Sequence, residues 1–131
     1  MSESRPVVVH PEEPIAGPTT PGMELRQHLD PDGRWIGFTG WIRNEAGDVS
    51  GWHHHAANDT YVYVIRGSLT IHFGPGGDGR VDARAGDFFL VPSQTIHREL
   101  TGPDGDLEAF VIRVGGEPEH VNVDGPDGLG R

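Results

Sequence analysis

Gly47-Asp48-Val49-Ser50-Gly51-Trp52-His53-His54-His55 and Gly86-Asp87-Phe88-Phe89-Leu90-Val91-Pro92-Ser93-Gln94-Thr95-Ile96-His97 are the two stretches that decide how this chain folds. In an extended strand successive side chains alternate between faces, so His53 and His55 point one way and His54 the other. Two imidazoles on one face are part of a metal chelate. His97 supplies a third ligand if the chain folds back to lay its strand beside the first. Neutral imidazole is the commonest protein ligand for divalent transition ions, which makes His53, His55 and His97 the chemical centre of the sequence.

Outward from these stretches, strand-like runs lie at 34–43, 60–66, 68–74, 80–84, 87–92, 96–101 and 107–114, with turn residues between nearly all of them. Gly74-Pro75-Gly76-Gly77-Asp78-Gly79 is the strongest turn signal, and no stretch sustains apolar spacing at helical period. Short strands with no helices between them pair antiparallel and close into sandwiches or barrels that hide their edges. The expected fold is all-β, a single barrel or jelly roll. Pro11, Pro14, Pro18 and Pro21 suit an extended N-terminal arm over 1–22, followed by the barrel over 23–114 and a Gly/Pro/Asp-rich tail over 115–131 with one apolar patch at Val121-Asn122-Val123.

Composition narrows the chemistry. The 131 residues suit one domain, and the 20 glycines and 11 prolines fit strands and turns better than helices. A formal net charge of −10 argues against a nucleic-acid partner, whose phosphates need clustered cations. All ten cationic residues are arginine, so lysine chemistry is excluded, and the absence of cysteine removes thiolate nucleophiles and sulfur ligands. Histidine and carboxylate chemistry remain. The apolar run Val7–Val9 is far too short for a secretory or membrane-spanning segment, so a soluble cytoplasmic protein without membrane contact is expected.

The two stretches resemble the paired signatures of the cupin superfamily, G-x5-H-x-H-x(3,4)-E-x6-G and G-x5-P-x-G-x2-H-x3-N. Gly47, His53, His55 and Gly67 fit the first, and Gly86, Pro92 and His97 the second. The resemblance implies a cupin barrel, a divalent metal ion, a small-molecule substrate and a homodimer. Departures are specific. The family glutamate falls at Thr60 on the spacing that places Gly67, or at Asp59 on the shorter one, which needs a bulge to turn the carboxylate inward. A site of three neutral histidines is preferred. Gln94 replaces the second signature's glycine and Thr101 its asparagine. If that glycine has positive φ, a glutamine is strained there and the turn must differ.

Alternation adds what the signatures do not. With His97 inward, Arg98 faces out and Glu99 and Thr101 face in, so Glu99 is a candidate catalytic base or a group supporting the metal; the alternative is a surface pair with an arginine. On 60–66, Thr60, Val62 and Val64 face in, and Tyr61, Tyr63 and Ile65 form an outer face for a dimer partner or for the N-terminal arm. His72 belongs to the side away from the core, and His10, His28 and His120 carry no spacing signal. Trp35, Trp41 and Trp52 are expected in the core, and Arg43 on the surface or as a clamp on a substrate carboxylate.

The resemblance points to a metal-dependent enzyme, most concretely a three-histidine iron(II) dioxygenase in which a chelating oxygenated substrate loses a proton to Glu99. Nickel, manganese, zinc and copper also accept histidine. A metal-assisted isomerase, lyase or polyketide cyclase working through an enolate, and a barrel that only binds a small ligand, are the alternatives.

Overall fold

The computed structural model describes residues 25–28, 38–115 and 121–128. The N-terminal arm and residues 34–37 of the first strand run lie outside these. Ten strands follow in order: β1 Leu25–His28, β2 Phe38–Asn44, β3 His53–His54, β4 Asp59–Arg66, β5 Ser68–Phe73, β6 Gly79–Arg84, β7 Phe88–Val91, β8 His97–Thr101, β9 Leu107–Val114 and β10 Val121–Asn122. A 3-10 turn at Pro75–Gly77 interrupts the link from β5 to β6. All pairings are antiparallel and form two five-stranded sheets, ordered β1-β2-β9-β4-β7 and β10-β3-β8-β5-β6. The expected all-β jelly-roll barrel is the observed architecture.

The sequence folds this way because its strands alternate. On β4, Thr60, Val62 and Val64 are buried while Tyr61, Tyr63 and Ile65 are exposed, as alternation required. On β9, Leu107, Ala109, Val111 and Arg113 face inward in turn with half-buried neighbours. The inward rows of the two sheets meet as the core. One cluster holds Ile42, Val62, Ala109 and Val111; the other holds Val64, Leu69, Ile71, Ala83 and Leu107, and Phe89 packs against both. Burial of such apolar faces contributes about 25 cal/mol per Å² and is what holds the sheets together.

The signature glycines are explained by their turns. Gly47, Gly67 and Gly86 have φ of 82°, 87° and 94°. At Gly67 a Cβ would also come 2.5 Å from the Asp106 carbonyl oxygen, so this turn between β4 and β5 excludes any side chain. Gln94 corrects one expectation. It adopts φ 63° where the second signature has glycine, so a glutamine occupies the left-handed region here. Its amide donates to the Ala56 carbonyl at 2.8 Å, a tertiary bond that offsets the roughly 1 kcal/mol cost of a left-handed non-glycine residue.

Two elements were not legible beforehand. The ligand-bearing β3 is only two residues long, and β10, drawn from the tail, pairs with it through Val121 opposite His54 and Asn122 opposite His53. Trp52 corrects another expectation: it lies outside both core clusters, half-buried beneath the Arg98 guanidinium, which stands 4.9 Å from its ring centroid. Arg98 is thereby on the outer side of β8, where its Nε also donates to His72 Nδ1 at 3.3 Å.

Candidate metal centre

β3 and β8 run side by side, and His53 is directly opposite His97. His55 follows β3 at the start of a turn closed by Asn58, whose amide donates to the His55 carbonyl at 3.0 Å. All three imidazoles are buried, with one nitrogen from each lying within 4.8 Å of the others. Two ligands about 2.1 Å from a shared ion stand at most about 4.2 Å apart, so small ring rotations suffice to close the triad on a cation. The rings are 4.4 to 5.7 Å apart between centroids.

Backbone carbonyls set the tautomers. His53 Nδ1–H donates to the Gly51 carbonyl at 2.8 Å and His97 Nδ1–H to the Thr95 carbonyl at 2.9 Å. Each is a bond to the residue two positions upstream, and each leaves Nε2 as the lone-pair nitrogen a metal requires. His54 points the other way, and its Nδ1 accepts from the Ala56 amide at 3.0 Å.

Glu99 faces inward, not toward a surface arginine. Its Oε2 lies 3.5 Å from His97 Nε2, and its Oε1 is buried with no hydrogen-bond partner among the described residues. It is adjacent to the triad but not part of the set of mutually close ligand atoms. Ser50, which sequence reasoning did not single out, fixes it: Ser50 Oγ accepts from the Glu99 amide at 2.9 Å, and the Ser50 amide donates to the Glu99 carbonyl at 2.9 Å. Burial alone pushes the Glu99 carboxyl up, but in the metal-free protein at acid pH a doubly protonated His97 donates to it, and the charges that His97, His53 and His55 carry once protonated outweigh burial and hold the group below the usual carboxylate range.

The question of Asp59 or Thr60 has a geometric answer. Asp59 Oδ1 accepts the Ser93 amide at 2.8 Å, whereas Thr60 is buried and turns its hydroxyl inward. No bulge rotates Asp59 into the barrel: the irregularity in the β4–β9 ladder lies between Val64 and Arg66. Arg43 is on the face of β2 opposite buried Ile42 and Asn44; among the described residues the buried arginine is Arg113.

The donor set fits a divalent transition ion: three imidazole nitrogens, two of them with tautomers set by backbone carbonyls, beside a buried carboxylate that needs a cation or proton near it. Burial lowers the His53 pKa from 6.5 to about 4, against the opposing pull of Glu99, with the nearby His97 and Arg113 charges lowering it further. The ring is therefore neutral and ready to ligate at neutral pH. In the metal-free protein the unfolded chain takes up this proton first as pH falls below about 6.5, so stability declines between pH 6.5 and 4 by up to about 3 kcal/mol. Glu99, with its depressed value, adds a loss in the same direction below about pH 4.5. Urea midpoints of metal-free protein at pH 7 and pH 4.5 check this decline; equal midpoints contradict it.

The family described as Cupin domain matches residues 40–113, more than half of the chain. The chain is a cupin. No curated protein matches it by sequence. Among solved structures, it is similar to the polyketide cyclase RemF from Streptomyces resistomycificus, at 20% identity and TM-score 0.69, covering 91% of this chain and 86% of that one. An oxalate oxidase aligns at 17% identity and TM-score 0.67 over 89% of this chain and 63% of its own. A predicted oxalate decarboxylase from Thermotoga maritima aligns at 19% identity and TM-score 0.65 over 84% of this chain and 100% of its own. At these identities the likeness is one of fold. Among the described residues of this cupin, no helix is long and apolar enough to cross a membrane.

Proposed function

We propose that this cupin is a metal-dependent enzyme acting on a small oxygenated molecule, with His53, His55 and His97 as the metal ligands and Glu99 as the proton acceptor. The observation that carries it is the buried triad, with the tautomers of His53 and His97 set by carbonyls and a carboxylate 3.5 Å from one ligand nitrogen. A divalent ion held there supplies Lewis acidity and open positions for a chelating substrate and, if it is iron(II), for dioxygen. Glu99 lines a narrow cavity and its Oε1 has no hydrogen-bond partner among the described residues, so it is placed to take a proton off a substrate there, and Ser50 holds its backbone.

If the ion is iron(II), three neutral protein ligands leave room for both substrate and dioxygen, which makes a dioxygenase the favoured activity. An enolate route, with the ion only polarising a carbonyl, is the second reading, supported by the placing of a base beside the triad and by the structural likeness to a polyketide cyclase. Oxygen uptake separates them. Iron-loaded protein is presented with chelating hydroxy-ketones and diketones in air and under argon. Consumption of dioxygen in step with substrate supports the dioxygenase, and conversion that proceeds equally under argon replaces it with the enolate reading. We assign the apolar outer face of β4 and β7, where Phe88 is 77% exposed beside Tyr63, to the contact between two copies of the chain, which sedimentation checks.

A further inference from the structure

One cavity reaches the triad at His97 and another reaches Glu99 beside it, and they differ in character. One is about 140 Å³ and is lined mainly by apolar side chains of β5 and β7, among them Ile71, Phe73, Phe89 and Val91, and it reaches His97. A cavity of that size and polarity admits one six-membered ring. The other runs inside the barrel past Glu99 to Thr60 and Arg113, shares Phe89 as a wall, and is wide enough for about one water-sized group.

Thr60 and Arg113 are opposite one another in the β4–β9 ladder, and both point into the narrow cavity. Each is only 4% exposed. The Thr60 hydroxyl has no hydrogen-bond partner among the described residues, although it is a donor as well as an acceptor. Arg113 brings a permanent cation into the barrel close enough to act on His53. A buried hydroxyl without a partner and a buried guanidinium beside a cation site favour one kind of ligand atom, an anionic oxygen. The narrowness of the cavity restricts it to the tip of a molecule.

We propose that Thr60 and Arg113 form a subsite for an ionised oxygen of the substrate, a carboxylate or enolate, while the β5–β7 cavity holds a ring-sized apolar group on the same molecule. This deepens the proposed function and rests on it. The substrate class is then an aryl or short-alkyl compound whose oxygen-bearing head lies between the triad and Arg113. Position 60, which carries no carboxylate here, leaves space for one that the ligand brings.

The test uses full-length protein loaded with cobalt(II) and titrated with mandelate, glycolate and uncharged mandelamide, following the visible bands of the metal. Wild type is expected to bind mandelate more tightly than either of the others. Arg113→Gln weakens mandelate roughly tenfold to hundredfold and Thr60→Val about threefold to tenfold, both at wild-type cobalt stoichiometry. Thr60→Val removes only an unpartnered hydroxyl and is expected to fold, so it decides alone if Arg113→Gln does not fold. Unchanged mandelate affinity in the folded variants overturns the subsite. A wild type that loads cobalt but ignores mandelate overturns it too and leaves the metal reading intact, whereas failure to load cobalt removes both.

Discussion

Substituting His97 with alanine is expected to abolish stoichiometric metal binding. The ring supplies one of three converging nitrogens, and its Nδ1 bond to Thr95 is what aims it. Losing a group that merely orients a ligand typically weakens binding roughly tenfold to a hundredfold, so losing the ligand itself exceeds about a hundredfold. Elemental analysis of protein purified without oxygen measures this directly. Because His97 is buried, the variant also leaves a gap and strips Glu99 of its neighbour, so circular dichroism must show that the barrel is folded before the metal content is read. His72→Ala is the control. It lies on the outer side of β5 and is expected to leave metal content unchanged. Full metal occupancy in folded His97→Ala protein would remove the triad as the site.

The residues that sequence could place were those governed by local rules. Alternation on β4 and β8 put Thr60, Val62, Val64, His97 and Glu99 on the inside without any knowledge of their neighbours. The same rule applied along β9 puts Arg113 in the row of Leu107, Ala109 and Val111, so the signal for the interior arginine was present in the chain. What no local rule supplies is the partner across the ladder. Thr60 and Arg113 meet only because β4 and β9 pair in one particular register. The pairing of Val121 and Asn122 with β3 is likewise a long-range choice, made by a two-residue strand too short to announce itself. Gln94 shows the limit in energetic terms. A backbone preference of about 1 kcal/mol is overridden by a single tertiary hydrogen bond to Ala56. Trp52 was expected in the core on the strength of its size, yet a tryptophan can also serve as a half-buried platform for a cation, here Arg98.

Glu99→Gln is expected to retain the metal and to lose turnover. The change preserves shape and the backbone bonds to Ser50, but removes the negative charge and with it the capacity to take a proton at Oε1. General-base groups contribute roughly 10² to 10⁴ in rate, and a fall in kcat of that order, with metal content at the wild-type level, is the expected result. A purely structural role predicts something else: lower thermal stability with the rate per folded molecule unchanged. Direct ligation predicts a third pattern, in which metal and activity fall together. The cobalt(II) visible spectrum separates ligation from base catalysis without any substrate, since a ligand change alters the bands and loss of a neighbouring base leaves them in place. The 3.5 Å between Oε2 and His97 Nε2 is compatible with two ligands on one tetrahedral ion, which would stand roughly 3.4 Å apart. Against ligation stands the exclusion of Glu99 from the set of mutually close donor atoms, and that geometry decides the expectation in favour of the base.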